Sequence, residues 1–210
     1  MGRPRRSRTA SVADVIGSLP VEAARLLRGD PNAPNDAAVE AAYRAVPDDQ
    51  VAEILDGELF TMPRPRPAHA NAATVLGEEL GPPFRRGRGG PGGWVFLVEP
   101  ELHLGLRPDK VVPDLAGWRR ERLPDALLDA DADGAITVVP DWVCEVLSDR
   151  TEHVDRGKKR RIYRREGVGH LWYLDPRDRT LEVNRLVEGR WLEVDIFEGD
   201  GAVRAEPFEA

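Results

Sequence analysis

Two acidic residues stand alone inside apolar runs of the sequence. Asp114 lies in Val111–Trp118, and Glu145 is the lone interior charge of Asp141–Leu147. Burying a carboxylate without a partner is costly, so each acid needs a cation or several hydrogen-bond donors. Adjacent strands would bring the two acids together, and paired carboxylates with water suit Mg²⁺. A structural salt bridge would also satisfy either acid, and for Glu145 taken alone both interpretations stay open.

A basic helix is predicted after Glu145, from about Thr151 to Glu166, and it offers a cation for these acids. Asp155, Lys159 and Tyr163 recur at i, i+4 and i+8 and therefore share one face of this helix. A lysine facing the acids could orient an attacking water and offset charge developing on a phosphorane-like transition state. A metal would lower the pKa of that water. The alternative is a solvated basic helix with an ordinary Asp–Lys pair.

The elements that must position these residues follow from hydrophobic periodicity. Both faces of Asp141–Leu147 are apolar, which predicts a central strand covered on each side. Asp56-Gly57 between two apolar runs predicts a hairpin over Val51–Met62. Helical spacing predicts helices at 37–45 and at His69–Leu80, the second ended by Gly81-Pro-Pro. Gly167 is expected to end the basic helix.

The other strands complete a mixed α+β pattern with no internal repeat. Four further strands are predicted at Trp94–Val98, Leu102–Leu106, Val111–Trp118 and Ile136–Val139. The last three strands form a predicted antiparallel meander at His170–Leu174, Thr180–Val187 and Trp191–Phe197. Between Arg119 and Gly134 the chain is polar and is expected to form a surface loop with a helical turn.

Length and composition limit the classes of protein. With 210 residues the chain can form one sizeable domain. A net charge of −7 argues mildly against a general polyanion binder, although local patches govern phosphate contact. The lone Cys144 cannot form an internal disulfide, and nothing resembles a zinc-ligand cluster. Without a membrane-length apolar run or a secretory signal, we expect a cytoplasmic protein that does not enter a membrane.

Five segments in a fixed order carry a family resemblance. The sequence resembles the PD-(D/E)xK nuclease superfamily, and within it the Uma-type restriction-endonuclease-like family common in bacterial genomes. The segments are Glu53–Glu58, Val112–Leu115, Pro140–Ser148, Asp155–Tyr163 and Gly167–Pro176. Each motif alone is unspecific, whereas five in order over Val46 to Phe208 are specific.

The resemblance implies a restriction-endonuclease-like core, α/β/α-like, with a mixed central sheet flanked by helices and a C-terminal meander. It makes Asp114 the "PD" acid and Glu145 the "(D/E)" acid, both as catalytic residues and metal ligands. The position of the "xK" lysine is Leu147, a departure from the superfamily pattern. The lysine is therefore expected on the following helix, as Lys159 rather than Lys158, because Lys159 shares a face with Tyr163.

Weaker candidates surround this centre. Glu58 is the predicted third metal ligand, with Glu53 as the alternative and a surface carboxylate as the ordinary interpretation of both. His69 follows a proline-rich bend and could approach phosphate, although a single histidine more often caps or packs. The predicted supporting residues are His69, Asp155 and Tyr163. The predicted DNA-phosphate contacts are Lys158, Arg160 and Arg164.

The predicted function is that of a Mg²⁺- or Mn²⁺-dependent endonuclease that hydrolyses DNA phosphodiesters. The alternatives are a catalytically weak nucleic-acid-binding module that keeps the fold, and a protein-interaction accessory factor. We expect a homodimer, because two sites commonly cut the two strands of a duplex. Residues 1–45 are predicted to be an N-terminal extension, with a partly disordered basic arm and short helices, and residues 46–210 the nuclease-like domain.

Overall fold

Two β-sheets and three helical segments make up residues 37–105, 108–125 and 135–209, the part of the chain that the computed structural model describes. These residues belong to the compact unit Asn35–Ala210. The predicted basic arm and short helices within residues 1–36 lie outside the described residues. Residues 126–134 of the predicted surface loop also lie outside them. The predicted α+β class is confirmed, and the domain boundary at residue 45 stays a prediction.

The smaller sheet contains the predicted hairpin. Its order is β2-β1-β5-β4, with every neighbouring pair antiparallel. Asp56 and Gly57 have φ of 52° and 79°, the positive values that a tight hairpin turn of this kind requires. The strands are β1 (Gln50–Leu55), β2 (Glu58–Pro63), β4 (Leu102–Leu104) and β5 (Asp109–Val111), and helix α1 (Ala37–Arg44) precedes them.

The larger sheet runs β10-β9-β8-β7-β6-β3, with β7 and β8 parallel and the other pairs antiparallel. Its last three strands form the predicted C-terminal meander. The strands are β3 (Trp94–Val98), β6 (Leu115–Arg119), β7 (Trp142–Val146), β8 (His170–Asp175), β9 (Thr180–Val187) and β10 (Arg190–Glu198).

Strand β7 lies in the interior, as its two apolar faces predict. All five of its residues are buried. Val143 packs into one apolar cluster, while Trp142, Cys144 and Val146 pack into the other on the opposite face. Glu145, on the same face as Val143, is therefore a carboxylate fixed within the core of the molecule.

A helical crossover joins the parallel strands β7 and β8. It comprises α3 (Glu152–Val154), a wider π-helical turn at Asp155–Lys159, and α4 (Arg160–Glu166). Gly167 ends it with φ of 85°, a left-handed conformation that glycine adopts without strain. Helix α2 (Pro67–Leu80) leads into a second π-helical turn, Gly81–Arg85. No helix in the described part of the chain is long and apolar enough to span a membrane.

Two strand predictions were wrong. Val111–Trp118 is not one strand, because β5 ends at Val111, β6 starts at Leu115, and the two lie in different sheets. Pro113 has no N–H to continue a ladder there. Ile136–Val139 forms only an isolated bridge from Ile136. The Val138 carbonyl instead accepts a hydrogen bond from the Trp118 indole at 2.9 Å.

Candidate active site

The pairing of β6 with β7 brings Asp114 and Glu145 together. Leu115 lies opposite Cys144, so Asp114 sits at the start of β6 beside the end of β7. One carboxylate oxygen of Asp114, Oδ2, accepts a hydrogen bond from the Val146 amide at 2.7 Å. Both acids line a cavity of about 290 Å³. Two carboxylates that are isolated in the sequence thus share one site.

The π-helical turn carries Lys159 to the same site. Its ammonium nitrogen lies 2.9 Å from Glu145 Oε1, 3.3 Å from Glu53 Oε1 and 3.5 Å from Asp155 Oδ1. It also donates a hydrogen bond to the Val112 carbonyl at 3.1 Å. The Lys159 side chain is 3% exposed. The structure therefore brings Lys159 to the buried acids.

Its neighbour Lys158 has a different environment. The Lys158 ammonium lies 2.7 Å from Glu58 Oε2, on a side chain that is 56% exposed, and 5.0 Å from the centre of the Phe60 ring. Neither Lys158 nor Glu58 is among the residues that line the cavity. The structure thus places Lys158 at the surface of the hairpin and Lys159 in the interior.

One ammonium group faces three buried carboxylates. Burial alone would lower the pKa of Lys159, but Glu145, Glu53 and Asp155 outweigh it and raise that pKa well above its ordinary value. Lys159 is therefore a cation at neutral pH. Burial also raises the pKa values of the three carboxyl groups, and Lys159 offsets this only in part. The cluster thus has three acidic groups for one cation, and a further cation would stabilise the ionised carboxylates.

Tyr163 orients Glu145 from the next turn of the helix. The fully buried Tyr163 hydroxyl donates a hydrogen bond to Glu145 Oε1 at 2.5 Å. Burial and the nearby Glu145 charge raise the pKa of the Tyr163 phenol well above its ordinary value, so it remains a donor. Asp155 is fixed through its backbone, whose carbonyl accepts the Tyr173 hydroxyl at 3.1 Å. The shared face expected for Asp155, Lys159 and Tyr163 is present.

Glu53, rather than Glu58, joins the buried acids around Lys159. Glu53 on β1 is fully buried, and its Oε1 accepts the Val112 amide at 2.7 Å. Its Oε2 is buried and has no hydrogen-bond partner in the described part of the protein. Glu58 lies opposite Leu55 at the turn end of the hairpin, and its 56% exposed side chain pairs with Lys158. The lone acid among apolar neighbours in β1 was the available sequence signal for Glu53.

His69 supports Asp114 from the first turn of α2. Its Nε2 lies 3.2 Å from Asp114 Oδ2. Burial would lower the pKa of His69, but the hydrogen bond and charge of Asp114 raise it overall. Its Nδ1 is buried without a hydrogen-bond partner among the described residues. His69, a predicted supporting residue, thus lies beside Asp114 on the wall of the cavity.

A family model described as "Uma2: Putative restriction endonuclease" matches residues 39–210. The chain belongs to the Uma2 family. A solved structure described as a "putative nuclease belonging to DUF820", from Anabaena variabilis ATCC 29413, is similar with a TM-score of 0.61 at 19% identity. The similarity covers 81% of this chain and 90% of that chain and concerns the fold. Among curated proteins none matches.

In this Uma2 chain the arginines of the cavity wall differ from Arg160 and Arg164, whose contacts with DNA phosphate stay a prediction. Arg160 donates to Asn184 at 3.1 Å and lies 3.6 Å from Glu182, while Arg164 is exposed on α4. Neither lines the cavity. The arginines that do line it are Arg64, Arg66, Arg150 and Arg177. The available signals were the alternating Pro63-Arg-Pro-Arg-Pro67 and an arginine just after the strand of Glu145.

The acids of this Uma2 site fit a hard divalent cation. No three His, Cys, Asp or Glu side chains within residues 37–105, 108–125 and 135–209 are arranged as a ready-made metal site. Mg²⁺, however, is usually held by one or two carboxylates and keeps several waters. Asp114 and Glu145 supply two carboxylates at the cavity, and Asp155 also lines it. Glu53 is not among the lining residues, but its buried Oε2 has no hydrogen-bond partner among the described residues.

Proposed function

We propose that this chain is a divalent-metal-dependent endonuclease that hydrolyses phosphodiester bonds of DNA, with Mg²⁺ or Mn²⁺ as cofactor. Membership of the Uma2 family supports a nuclease. The observation that carries the proposal is the burial of Glu145 and Lys159 against each other beside Asp114, on the wall of one cavity. Burying charges costs folding free energy, and buried charged clusters with shifted pKa values concentrate at functional sites. A nuclease active site therefore explains this cluster.

Asp114 and Glu145 would hold the metal, and Glu53 would take the place expected for Glu58 as third acid. When bound, the metal lowers the pKa of a coordinated water and polarises the phosphoryl oxygen. Glu145, Glu53 and Asp155 together keep Lys159 charged, since all three lie within 3.5 Å of its ammonium. The chain thus supplies both acidic ligands and a fixed cation.

Lys159 would act through its charge rather than as a base. Its raised pKa keeps the ammonium protonated, so it cannot accept a proton from water at neutral pH. It can donate a hydrogen bond to the attacking water or to a phosphoryl oxygen and offset the charge of the transition state. Such donors are most effective in a site where they are already oriented, and the hydrogen bond to Val112 orients this ammonium.

Two side chains would keep the acids in place without touching substrate. Tyr163 restrains Glu145 through the hydrogen bond to Oε1, and His69 restrains Asp114 through Oδ2. Because metal ligands work only within narrow geometric limits, both contacts would affect the rate more than DNA affinity.

Three broader expectations remain part of the proposal. We propose a homodimer, because two sites commonly cut the two strands of a duplex, and we propose action in the cytoplasm. We also propose that residues 46–210 form the nuclease domain and residues 1–45 an extension to it. Sedimentation of the purified chain tests the dimer.

The direct test is cleavage of supercoiled and linear DNA with Mg²⁺, Mn²⁺ or EDTA. Glu145→Gln should lower the metal-dependent rate by about 100-fold or more, because it removes charge without changing shape. Lys158→Met is the matched control, because this lysine lies at the surface beside Glu58, and it should cleave at the wild-type rate.

Each other outcome of this test points elsewhere. Cleavage that survives in EDTA, or in Glu145→Gln, would contradict this site. DNA binding without any cleavage would support the binding module instead. A protein that neither binds nor cleaves DNA would support the role as an accessory factor.

A further inference from the structure

Four arginines share the wall of the cavity with Asp114, and they are not equivalent. Arg177 contacts three acids, and its charge is already compensated inside the protein. These acids are Asp149, Glu152 and Asp175. It therefore serves to hold the loops around the cavity together and has little capacity left for a ligand.

Arg64 is partly committed in the same way. It donates a hydrogen bond to the Asp48 carbonyl at 3.0 Å and lies 3.6 Å from Glu99 Oε2. Its side chain is 56% exposed and that of Glu99 is 35% exposed, so this ion pair is weak. Arg64 contributes positive charge but is not the best-placed ligand.

Arg66 and Arg150 differ from these two. Both are exposed, and neither forms an ion pair or a side-chain hydrogen bond with any described residue of the chain. Guanidinium groups beside carboxylates would be expected to form ion pairs with them. Because these two do not pair with any described residue, they stay available for an external anion. We call Arg66 and Arg150 the rim arginines, because they line the cavity while their side chains stay exposed.

The backbone holds both rim arginines close to the catalytic elements. Arg66 lies between Pro65 and Pro67 in an extended conformation, with φ of −73° and ψ of 157°, directly before the helix that carries His69. Proline fixes φ, so little backbone freedom is lost when this arginine binds a ligand.

Arg150 lies in the short connection between the strand of Glu145 and the helix of Lys159. That connection is restrained by a hydrogen bond of 2.9 Å between the hydroxyls of Ser148 and Thr151. Both rim arginines are thus attached to the segments that position the acids and the lysine.

We propose that Arg66 and Arg150 bind the backbone phosphates of the DNA strand on either side of the phosphate being cut. This inference rests on the proposed function. Guanidinium groups bind phosphate oxygens through two parallel hydrogen bonds and stay charged at every relevant pH. Contacts to phosphate position a nucleic acid without reading its sequence. The phosphate contacts then lie at the rim of the cavity rather than on the basic helix face that carries Arg164.

The test measures DNA binding without cleavage. Each variant is made in the full chain with Glu145→Gln and titrated in EDTA against a short fluorescent duplex and the matching single strand. Arg66→Ala and Arg150→Ala should each reduce the slope of log affinity against log salt by about 1. Between about 50 mM and about 200 mM salt, each variant should then lose about 3.5-fold less affinity than its parent.

The matched control is Arg164→Ala, which removes another exposed arginine that does not line the cavity. It should leave both the affinity and the slope unchanged. The urea midpoints of all three variants should equal that of the parent, because each replaced side chain is at the surface.

The outcomes separate this inference from the proposed function. If the parent binds DNA and both rim variants keep its affinity and slope, the rim inference is wrong while the nuclease proposal stands. A loss confined to Arg164→Ala would return the phosphate contacts to the helix face. If the parent binds neither duplex nor single strand, the rim inference fails, and metal-dependent cleavage by the wild-type protein decides the nuclease proposal separately.

Discussion

Replacing Lys159 by methionine tests the central electrostatic argument. The substitution keeps a flexible side chain but removes the ammonium that lies within 3.5 Å of Glu145, Glu53 and Asp155. These carboxylates then remain in the interior without the cation that lowers their pKa values. We expect a large loss of folding stability near neutral pH.

The size of the loss follows from burial. Removing one partner of a buried ion pair costs about 3–5 kcal/mol, because the remaining charge is left uncompensated. That is a large part of the roughly 5–15 kcal/mol by which a domain is stable. Lys158→Met is the control, since its exposed pair with Glu58 should contribute no more than about 1 kcal/mol.

The loss should also depend on pH with a defined sign. In the variant, the carboxyl pKa values of the folded state rise further above their unfolded values of about 4. The folded state then binds more protons than the unfolded state, so stability increases as the pH falls. The deficit relative to wild type should therefore shrink from about pH 8 to about pH 5.

The measurement is urea unfolding of wild type and both variants across this pH range, followed by tryptophan fluorescence. Lys159→Met is expected to show its largest deficit at the highest pH, while the stability difference of Lys158→Met stays small throughout. Equal stability of the two variants at every pH would refute the reasoning, because it would mean that no charged cluster is buried around Lys159.

Further predictions concern the hydrogen bond to Glu145 and two glycines. Tyr163→Phe removes the hydroxyl 2.5 Å from Glu145, and we expect it to cost about 1–3 kcal/mol and to lower the cleavage rate at unchanged DNA affinity; reduced affinity at an unchanged rate would contradict a positioning role. Gly77→Ala, inside α2, should stabilise by about 0.5–1 kcal/mol, because the new Cβ would meet only a leucine side chain at 3.8 Å. Gly117→Ala should cost about 1–3 kcal/mol, because its Cβ would lie 3.0 Å from the Phe96 ring. Thermal unfolding of both glycine variants checks these opposite signs.

Much of the fold could be predicted from local hydrophobic periodicity. The two apolar faces of Asp141–Leu147 were enough to predict the buried strand of Glu145, and Asp-Gly between apolar runs was enough to predict the β1–β2 hairpin, because strand faces and tight turns depend on neighbouring residues. Spacing along one helix likewise placed Lys159 and Tyr163 on a common face. These features needed no knowledge of distant pairings.

Periodicity failed where a segment changes sheets. The apolar run Val111–Trp118 satisfies the pattern of one strand, yet it divides at Pro113 between two sheets. Ile136–Val139 satisfies the same pattern, but the Val138 carbonyl bonds to the side chain of Trp118. Local sequence does not encode which partner a backbone carbonyl finds 20 residues away.

The sequence by itself therefore determined the strand and helix that carry Glu145 and Lys159, and the family to which they belong. Only the tertiary structure decided that Glu53 rather than Glu58 joins them, and that Arg66 and Arg150 line their cavity. The reason is physical: the Glu53 carboxylate accepts a hydrogen bond from an amide 59 residues along the chain, and such contacts exist only after the sheets have assembled.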